Sequence, residues 1–127
     1  MPALARSKPQ RTDESAIVVA IRLRLGEEPD LVLWRQSVAG VEVFDPKTGR
    51  SRWQHAGLPK GSSDLIGVLA PLGRFVALEA KTPRGRLTPD QKAWLALVRR
   101  FGGFATSVRS VEDALAALER ARRGETE

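Results

Sequence analysis

Asp64, Glu79 and Lys81 are the residues whose types and spacing offer chemistry in this chain. Glu79 and Lys81 end an apolar run, Phe75–Leu78, that reads as a central strand, and Asp64 opens the apolar run before it. The turn residues Pro71–Gly73 join the two runs as a tight hairpin. Counting back from that turn sets Asp64 opposite Glu79 or one residue away. Directly opposed residues share a face, with Cβ atoms roughly 4.5–5.5 Å apart. Two carboxylates that close repel unless a cation lies between them. A Mg²⁺ ion is commonly held by one or two carboxylates together with water and phosphate oxygens. Strand alternation turns Lys81 to the same face as Glu79 and Ala80 to the other, so the ammonium reaches the same phosphate or an attacking water. A Glu-x-Lys pair alone is more often a surface ion pair at a strand end. The Asp, the hairpin and the basic loop that follows are what favour a metal and phosphate site.

Around this constellation stand further candidates. Lys81, Arg84 and Arg86 surround Gly85 and would clamp a neighbouring phosphate, where a bland reading has them as a solvated loop. Lys60, in the glycine-flanked loop before Asp64, is a weaker phosphate candidate, and Arg35 ends an earlier strand. Thr88 and Gln91 form T-x-x-Q around Pro89, a capping box with a purely structural rationale that also lies near the proposed site. His55 is the sole histidine and is read as structural. Trp34 and Trp53 could stack on bases, although strand tryptophans in a small domain belong more often to the core.

The elements that must position these residues follow from periodicity. TDESAIVVAIRLRLG reads as a helix capped by Thr12 or Asp13 and stopped by Gly26, with Ile17, Val18, Ile21 and Leu25 as its apolar stripe. Glu14 falls on the line of that stripe: either it sits half in water, stabilised by the helix N-terminus, or, being costly to bury alone, it approaches the Asp64–Glu79 cation directly or through a bound water. DLVLWRQS, VEVFD and SRWQH read as strands, the last two forming a hairpin about the turn DPKTGR. GLPKGSSD is a loop, and DLIGVLA and RFVALEAK are strands. A second helix runs Pro89–Phe101, with Trp94, Leu95, Val98 and Phe101 inward and Lys92, Arg99 and Arg100 outward. FATSV is a strand, and SVEDALAALERARR is a helix capped by Ser110. The order α-β-β-β-β-β-α-β-α predicts an α/β fold, a mixed sheet flanked by helices with an extra β-hairpin.

A length of 127 residues with 42% hydrophobic content implies one globular domain, expected over 12–122, between a basic mobile tail at 1–11 and a frayed end at 123–127. The absence of cysteine excludes disulfides and thiolate metal sites and suits a reducing compartment. No apolar run approaches a membrane span, and MPALARSKPQR lacks the apolar core of a signal peptide. A net charge of +6 favours a polyanionic partner, nucleic acid first. With 15 acidic residues the chain is not a simple polycation.

GSSDLIGVLAPLGRFVALEAKTPRGRLTPDQKAWL resembles the PD-(D/E)xK nuclease superfamily, and within it the VRR-NUC (virus-type replication-repair nuclease) family, from about Glu14 to Leu118. The resemblance implies an αβββαβ-type core and a Mg²⁺- or Mn²⁺-dependent deoxyribonuclease. Asp64, Glu79 and the Ala80 carbonyl would be metal ligands. Lys81 would position or activate water, and Gln91 matches the family's helix glutamine near the site. Products would carry 5′-phosphate and 3′-hydroxyl ends. Single-domain relatives resemble Holliday-junction resolvases, which implies branched DNA as substrate, a homodimer, and action in the cytoplasm of a bacterial or phage-infected cell. The hairpin from Val41 to Trp53 is the expected subunit interface. Two departures stand out: Ser63 replaces the superfamily's proline, and Arg35–Ser37 reads Arg-Gln-Ser where relatives often carry Arg-Asn-Asn. The rival readings are a nucleic-acid-binding module with little turnover, which the intact Asp64, Glu79 and Lys81 argue against, and a restriction-type endonuclease, for which so short a chain leaves few base-reading loops.

Overall fold

The computed structural model describes residues 9–37 and 39–127. Its elements are α1 (Pro9–Leu25), β1 (Leu31–Arg35), β2 (Ala39–Asp45), β3 (Arg50–Ala56), β4 (Leu65–Leu69), β5 (Arg74–Ala80), α2 (Pro89–Arg100), β6 (Phe104–Val108) and α3 (Val111–Arg122). Four strands form a mixed sheet in the order β1-β4-β5-β6, and β2-β3 form a separate two-stranded sheet. Only β5 and β6 run parallel, because α2 intervenes between them as the crossover that parallel strands need. The fold is α/β, with the element order read from the sequence. Among the described residues no helix is long and apolar enough to cross a membrane.

Alternation along β5 divides the core. Val76, Leu78 and Ala80 pack with Val18, Ile21 and Leu25 of α1 and with Ala114, Ala117 and Leu118 of α3. Ala77 faces the other way, onto Trp94, Leu95 and Val98 of α2. Glu79 and Lys81 therefore lie on the α2 side of the sheet. Gly67 permits the tight approach of β1 to β4: a Cβ there would stand 2.2 Å from the Val32 carbonyl oxygen and 3.2 Å from the Leu33 Cα.

Several expectations need correction. The first helix begins at Pro9, so Thr12 and Asp13 lie inside it rather than capping it. Of the tail expected at 1–11, residues 1–8 lie outside the described residues and 9–11 are helical. Phe101 is 79% exposed instead of core; it is the C-cap of α2 and no longer follows the helical stripe. Arg99, expected outward, is part-buried, and its Nε donates to the Ala105 carbonyl at 2.8 Å. The segment 123–127 is tied down rather than frayed. The Ala105 N–H donates to the Thr126 carbonyl at 2.9 Å, Arg99 pairs with Glu127 at 2.8 Å, and Arg74 Nη2 donates to the Glu125 carbonyl at 2.6 Å. This covers the outer edge of β6, which would otherwise present unpaired backbone groups. The tryptophans read as core, Trp34 and Trp53, are 49% and 74% exposed.

Gly67→Ala is expected to destabilise the protein by about 1–3 kcal/mol or more, because a methyl group cannot enter the β1–β4 seam without separating the strands. A thermal melt matching wild type would show that the seam tolerates the methyl.

Candidate active site

The β4–β5 register pairs Leu65 with Leu78, which sets Asp64, one residue before β4, across from Glu79. Asp64 Oδ2 accepts a hydrogen bond from the Ala80 N–H at 3.0 Å. The Asp64 carboxylate is thus anchored to β5 beside Glu79, on the face that strand alternation predicts.

Glu79 is 3% exposed. Its Oε2 accepts from Gln91 Nε2 at 3.1 Å and lies 3.9 Å from Lys81 Nζ. Gln91 belongs to the capping box of α2: its Oε1 accepts from the Thr88 N–H at 2.9 Å, while Thr88 Oγ1 accepts from the Gln91 N–H at 3.1 Å. Because the cap takes the amide oxygen, the amide nitrogen is the end presented to Glu79. The structural and site readings of T-x-x-Q therefore hold together. Burial pushes the Glu79 carboxyl up to about 8, with the neighbouring Asp64 carboxylate second; the Lys81 ammonium opposes this, and Glu14 adds a smaller upward push.

Glu14 is near enough to act on Glu79, but it comes from α1, which packs on the opposite face of the sheet. Among the described residues no three His, Cys, Asp or Glu side chains form a metal-holding group. The protein's carboxylate contribution here is the Asp64–Glu79 pair. Two hard oxygen donors side by side, one buried and one half-buried, only partly compensated by Lys81, fit Mg²⁺ or Mn²⁺, whose remaining positions are filled by water and phosphate oxygens.

The loop before Asp64 is fixed from three directions. Ser63 is fully buried; its hydroxyl accepts from Trp94 Nε1 at 3.1 Å and donates to the Leu65 carbonyl at 3.0 Å. Gly61, at φ +89°, lies so close to α2 that a Cβ would stand 2.5 Å from the Asp90 backbone. Gln36 Nε2 donates to Ser62 Oγ at 2.8 Å, and the Gln36 N–H donates to the Asp64 carbonyl at 2.7 Å. These contacts supply the rigidity that a proline would give at position 63. Lys60 is exposed and 3.9 Å from Asp90. Arg35, Arg84 and Arg86 are exposed, and none belongs to an ion pair among the described residues.

Arg109 is a contributor that sequence reasoning missed. Its Nη1 donates to the Thr82 carbonyl and, at 2.8 Å, to the Gly85 carbonyl, holding the loop that carries Arg84 and Arg86. Only the parallel β5–β6 pairing, which sets Ala80 beside Val108, reveals that the residue after β6 reaches the loop after β5. Trp94, expected only as an inward core residue, and Gln36, noted only within the Arg-Gln-Ser departure, likewise brace the loop before Asp64. His55 bonds through Nε2 to the Leu58 carbonyl, away from the carboxylates, in keeping with its structural reading.

The raised Glu79 value has a stability consequence. A carboxyl whose folded-state value lies above its ordinary 4.5 contributes stability below that ordinary value and loses it as pH rises through the folded one. The metal-free protein is therefore expected to melt at progressively lower temperature from about pH 5 to about pH 8, relative to Glu79→Gln. Mg²⁺ should raise the melting temperature more at pH 8 than at pH 5, because ligation needs the ionised carboxylate. Parallel melting curves for wild type and Glu79→Gln across this range would refute the assignment.

The VRR-NUC domain model matches residues 44–112, more than half of the 127-residue chain. The match takes in Asp64, Glu79, Lys81, Gln91 and Arg109, and so the whole β4–β5 hairpin with α2 and β6. No curated protein matches the chain. With a mixed α/β sheet, a carboxylate pair across one hairpin and a lysine two residues on, the chain belongs to the VRR-NUC domain family, nuclease domains of the PD-(D/E)xK superfamily.

Proposed function

We propose that this chain is a Mg²⁺- or Mn²⁺-dependent endodeoxyribonuclease acting on branched DNA, with four-way junctions as its preferred form. The observation that carries the reading is the convergence on Glu79: Asp64 beside it on one face, with Gln91 at 3.1 Å and Lys81 at 3.9 Å from the same carboxylate oxygen. Asp64, Glu79 and the Ala80 carbonyl would hold the ion, which when bound polarises the phosphodiester and stabilises the leaving 3′-oxygen. Asp64 is kept in place by the Ala80 N–H, and Gln91 keeps Glu79 turned toward Asp64's side of the sheet. Lys81 orients the attacking water and offers its ammonium to the charge that grows on the phosphate. Arg84 and Arg86, on the loop braced by Arg109, and Arg35 receive flanking phosphates. Lys60 shares its charge with Asp90 and contributes less. Glu14, near the start of α1, would approach the ion directly or through a bound water. Two symmetric cuts across a junction take two sites, which a C₂ pair of chains supplies.

Cleavage of labelled duplex, single-stranded, flap and four-way-junction DNA in Mg²⁺, Mn²⁺ or EDTA tests this reading. Activity is expected only with metal and highest on the junction. Asp64→Asn or Glu79→Gln should bring turnover to background while DNA binding survives. Gln91→Ala should lower it about 10–100-fold and lower the melting temperature as well, because the α2 capping box is lost with it; at limiting Mg²⁺, Glu14→Gln should lower turnover about 10–100-fold with little change in melting temperature. Full cleavage in EDTA would end the nuclease reading, and wild-type turnover by Glu14→Gln at limiting Mg²⁺ would remove that residue from the site.

Arg109→Ala should lower cleavage by about 10–100-fold, since it frees the loop bearing Arg84 and Arg86. An unchanged rate would limit Arg109 to a structural role.

A further inference from the structure

The β2–β3 hairpin stands apart from the main sheet. Its ladder is made only with itself, and every residue of β3 except Ala56 is exposed. An isolated two-stranded hairpin is marginal in water, so large apolar side chains displayed on one call for a partner. The register sets Trp53 opposite Glu42 and Phe44 opposite Ser51. Trp53 and Phe44 therefore share a face as diagonal neighbours, roughly 7–8 Å apart. Phe44 is 61% exposed. The Trp53 ring leans over Gly40, where a Cβ would stand 3.1 Å from Cε3. The hairpin backbone thus supports the ring while most of the side chain stays in solvent.

The root of the hairpin is at the carboxylate edge. Gln36, just before it, bonds to both Ser62 and the Asp64 carbonyl, and His55, near its end, bonds to Leu58. Strands of seven residues reach about 23 Å from that root, the length of about seven nucleotides along a strand. Lys47 lies in the turn at the tip, and Arg50 and Arg52 lie near it on the face opposite the two rings, where their long side chains reach around the edge of the hairpin. Of the two acidic residues on the strands, Asp45 is engaged by the turn, accepting from the Lys47 N–H at 2.9 Å.

We propose that the β2–β3 hairpin is an arm that grips an unpaired nucleic-acid strand, Trp53 and Phe44 stacking on bases while Lys47, Arg50 and Arg52 meet phosphates. Bases inside a duplex are already stacked and offer no free face, whereas unpaired bases do. A second copy of the chain fits less well: it would bring cations against cations in a protein of net charge +6. The proposal deepens the nuclease reading by naming the feature that would distinguish branched from uniform DNA. Its test is a binding measurement that does not depend on turnover.

Binding is measured in EDTA by anisotropy, with a labelled thymidine oligonucleotide of about 16 nucleotides and a fully paired duplex. Trp53→Ala and Phe44→Ala are each expected to weaken oligonucleotide binding by about tenfold, the double variant by more. Trp53→Phe should retain most of the affinity while losing most of the oligonucleotide-induced fluorescence quench. Duplex binding should change by no more than about twofold, since it rests on phosphate contacts. Wild-type oligonucleotide affinity in the double variant would overturn the proposal. So would light scattering in which the double variant turns a dimer into a monomer, since the rings would then face a second chain. Failure of metal-dependent cleavage by wild type would leave these results standing and count against the nuclease reading alone.

Discussion

Two carboxylates held side by side in a poorly solvated place are the constraint around which this fold is arranged. Asp64 and Glu79 meet because β4 and β5 are joined by a short turn, and a one-residue slip would send one of them to the opposite face. Their repulsion is answered in three ways. Asp64 takes a backbone N–H from β5, Glu79 takes the amide of Gln91, and Lys81 stands at 3.9 Å. None of these fully offsets the burial that pushes the Glu79 carboxyl up, to which the neighbouring Asp64 carboxylate adds. A carboxylate pair that a backbone N–H, an amide and one lysine leave under-compensated suits a divalent cation, and the surrounding elements serve to keep it so. α2 brings Gln91 and Trp94, the Gly61–Ser63 loop locks Asp64 between α2 and β1, and β6 brings Arg109 behind the basic loop.

Much of this was legible because it rests on short-range rules. The turn at Pro71–Gly73 fixed the register within one residue. Period-two alternation placed Glu79 and Lys81 together, and the capping box at Thr88–Gln91 located the start of α2. What escaped the sequence depends on long-range pairing. Arg109 is 24 residues from Gly85 and becomes relevant only once β6 lies beside β5. Trp53 was read as core because tryptophan usually is, but its strand pairs only with β2 and no sheet lies over it. Phe101 failed for a local reason: at the C-cap the chain leaves helical geometry and the apolar stripe ends one residue early. The end of the chain was expected to fray from its composition, yet the open edge of β6 and the guanidiniums of Arg74, Arg99 and Arg120 give it partners.

Ser63 shows how a departure from a family pattern can be absorbed. Proline stiffens a loop by fixing φ. Serine has no such restriction, but here its buried hydroxyl both accepts and donates, joining Trp94 of α2 to the start of β4. The rigidity moves from the backbone to a hydrogen bond, and it then depends on Trp94 being present. Removing the Ser63 hydroxyl leaves the buried Trp94 indole N–H unpaired, at a cost of about 1–3 kcal/mol. Ser63 and Trp94 are therefore best understood as one device that sets the position of Asp64.

The distribution of charge follows the same logic. Arg122 is met by Asp30 and Glu28, each at 2.7 Å, and by Glu119 at 2.6 Å, and its hydrogen bonds hold the Glu28 and Asp30 carboxyls below the usual carboxylate range. Arg99 and Arg123 likewise find Glu127 and Glu125. Five of the 15 acidic residues are thus engaged with Arg99 of α2, Arg122 of α3 and Arg123 at its end. Around the carboxylate pair the pattern reverses: among the described residues no ion pair engages Arg35, Arg84 or Arg86, and Arg109 is spent on backbone carbonyls. Guanidiniums left without carboxylates stay available to phosphate, and those at the far end of α3 do not. Of the basic groups near the carboxylate pair, Lys60 and Lys81 stand 3.9 Å from Asp90 and Glu79, whereas the exposed guanidiniums of Arg35, Arg84 and Arg86 keep their full charge for a polyanion.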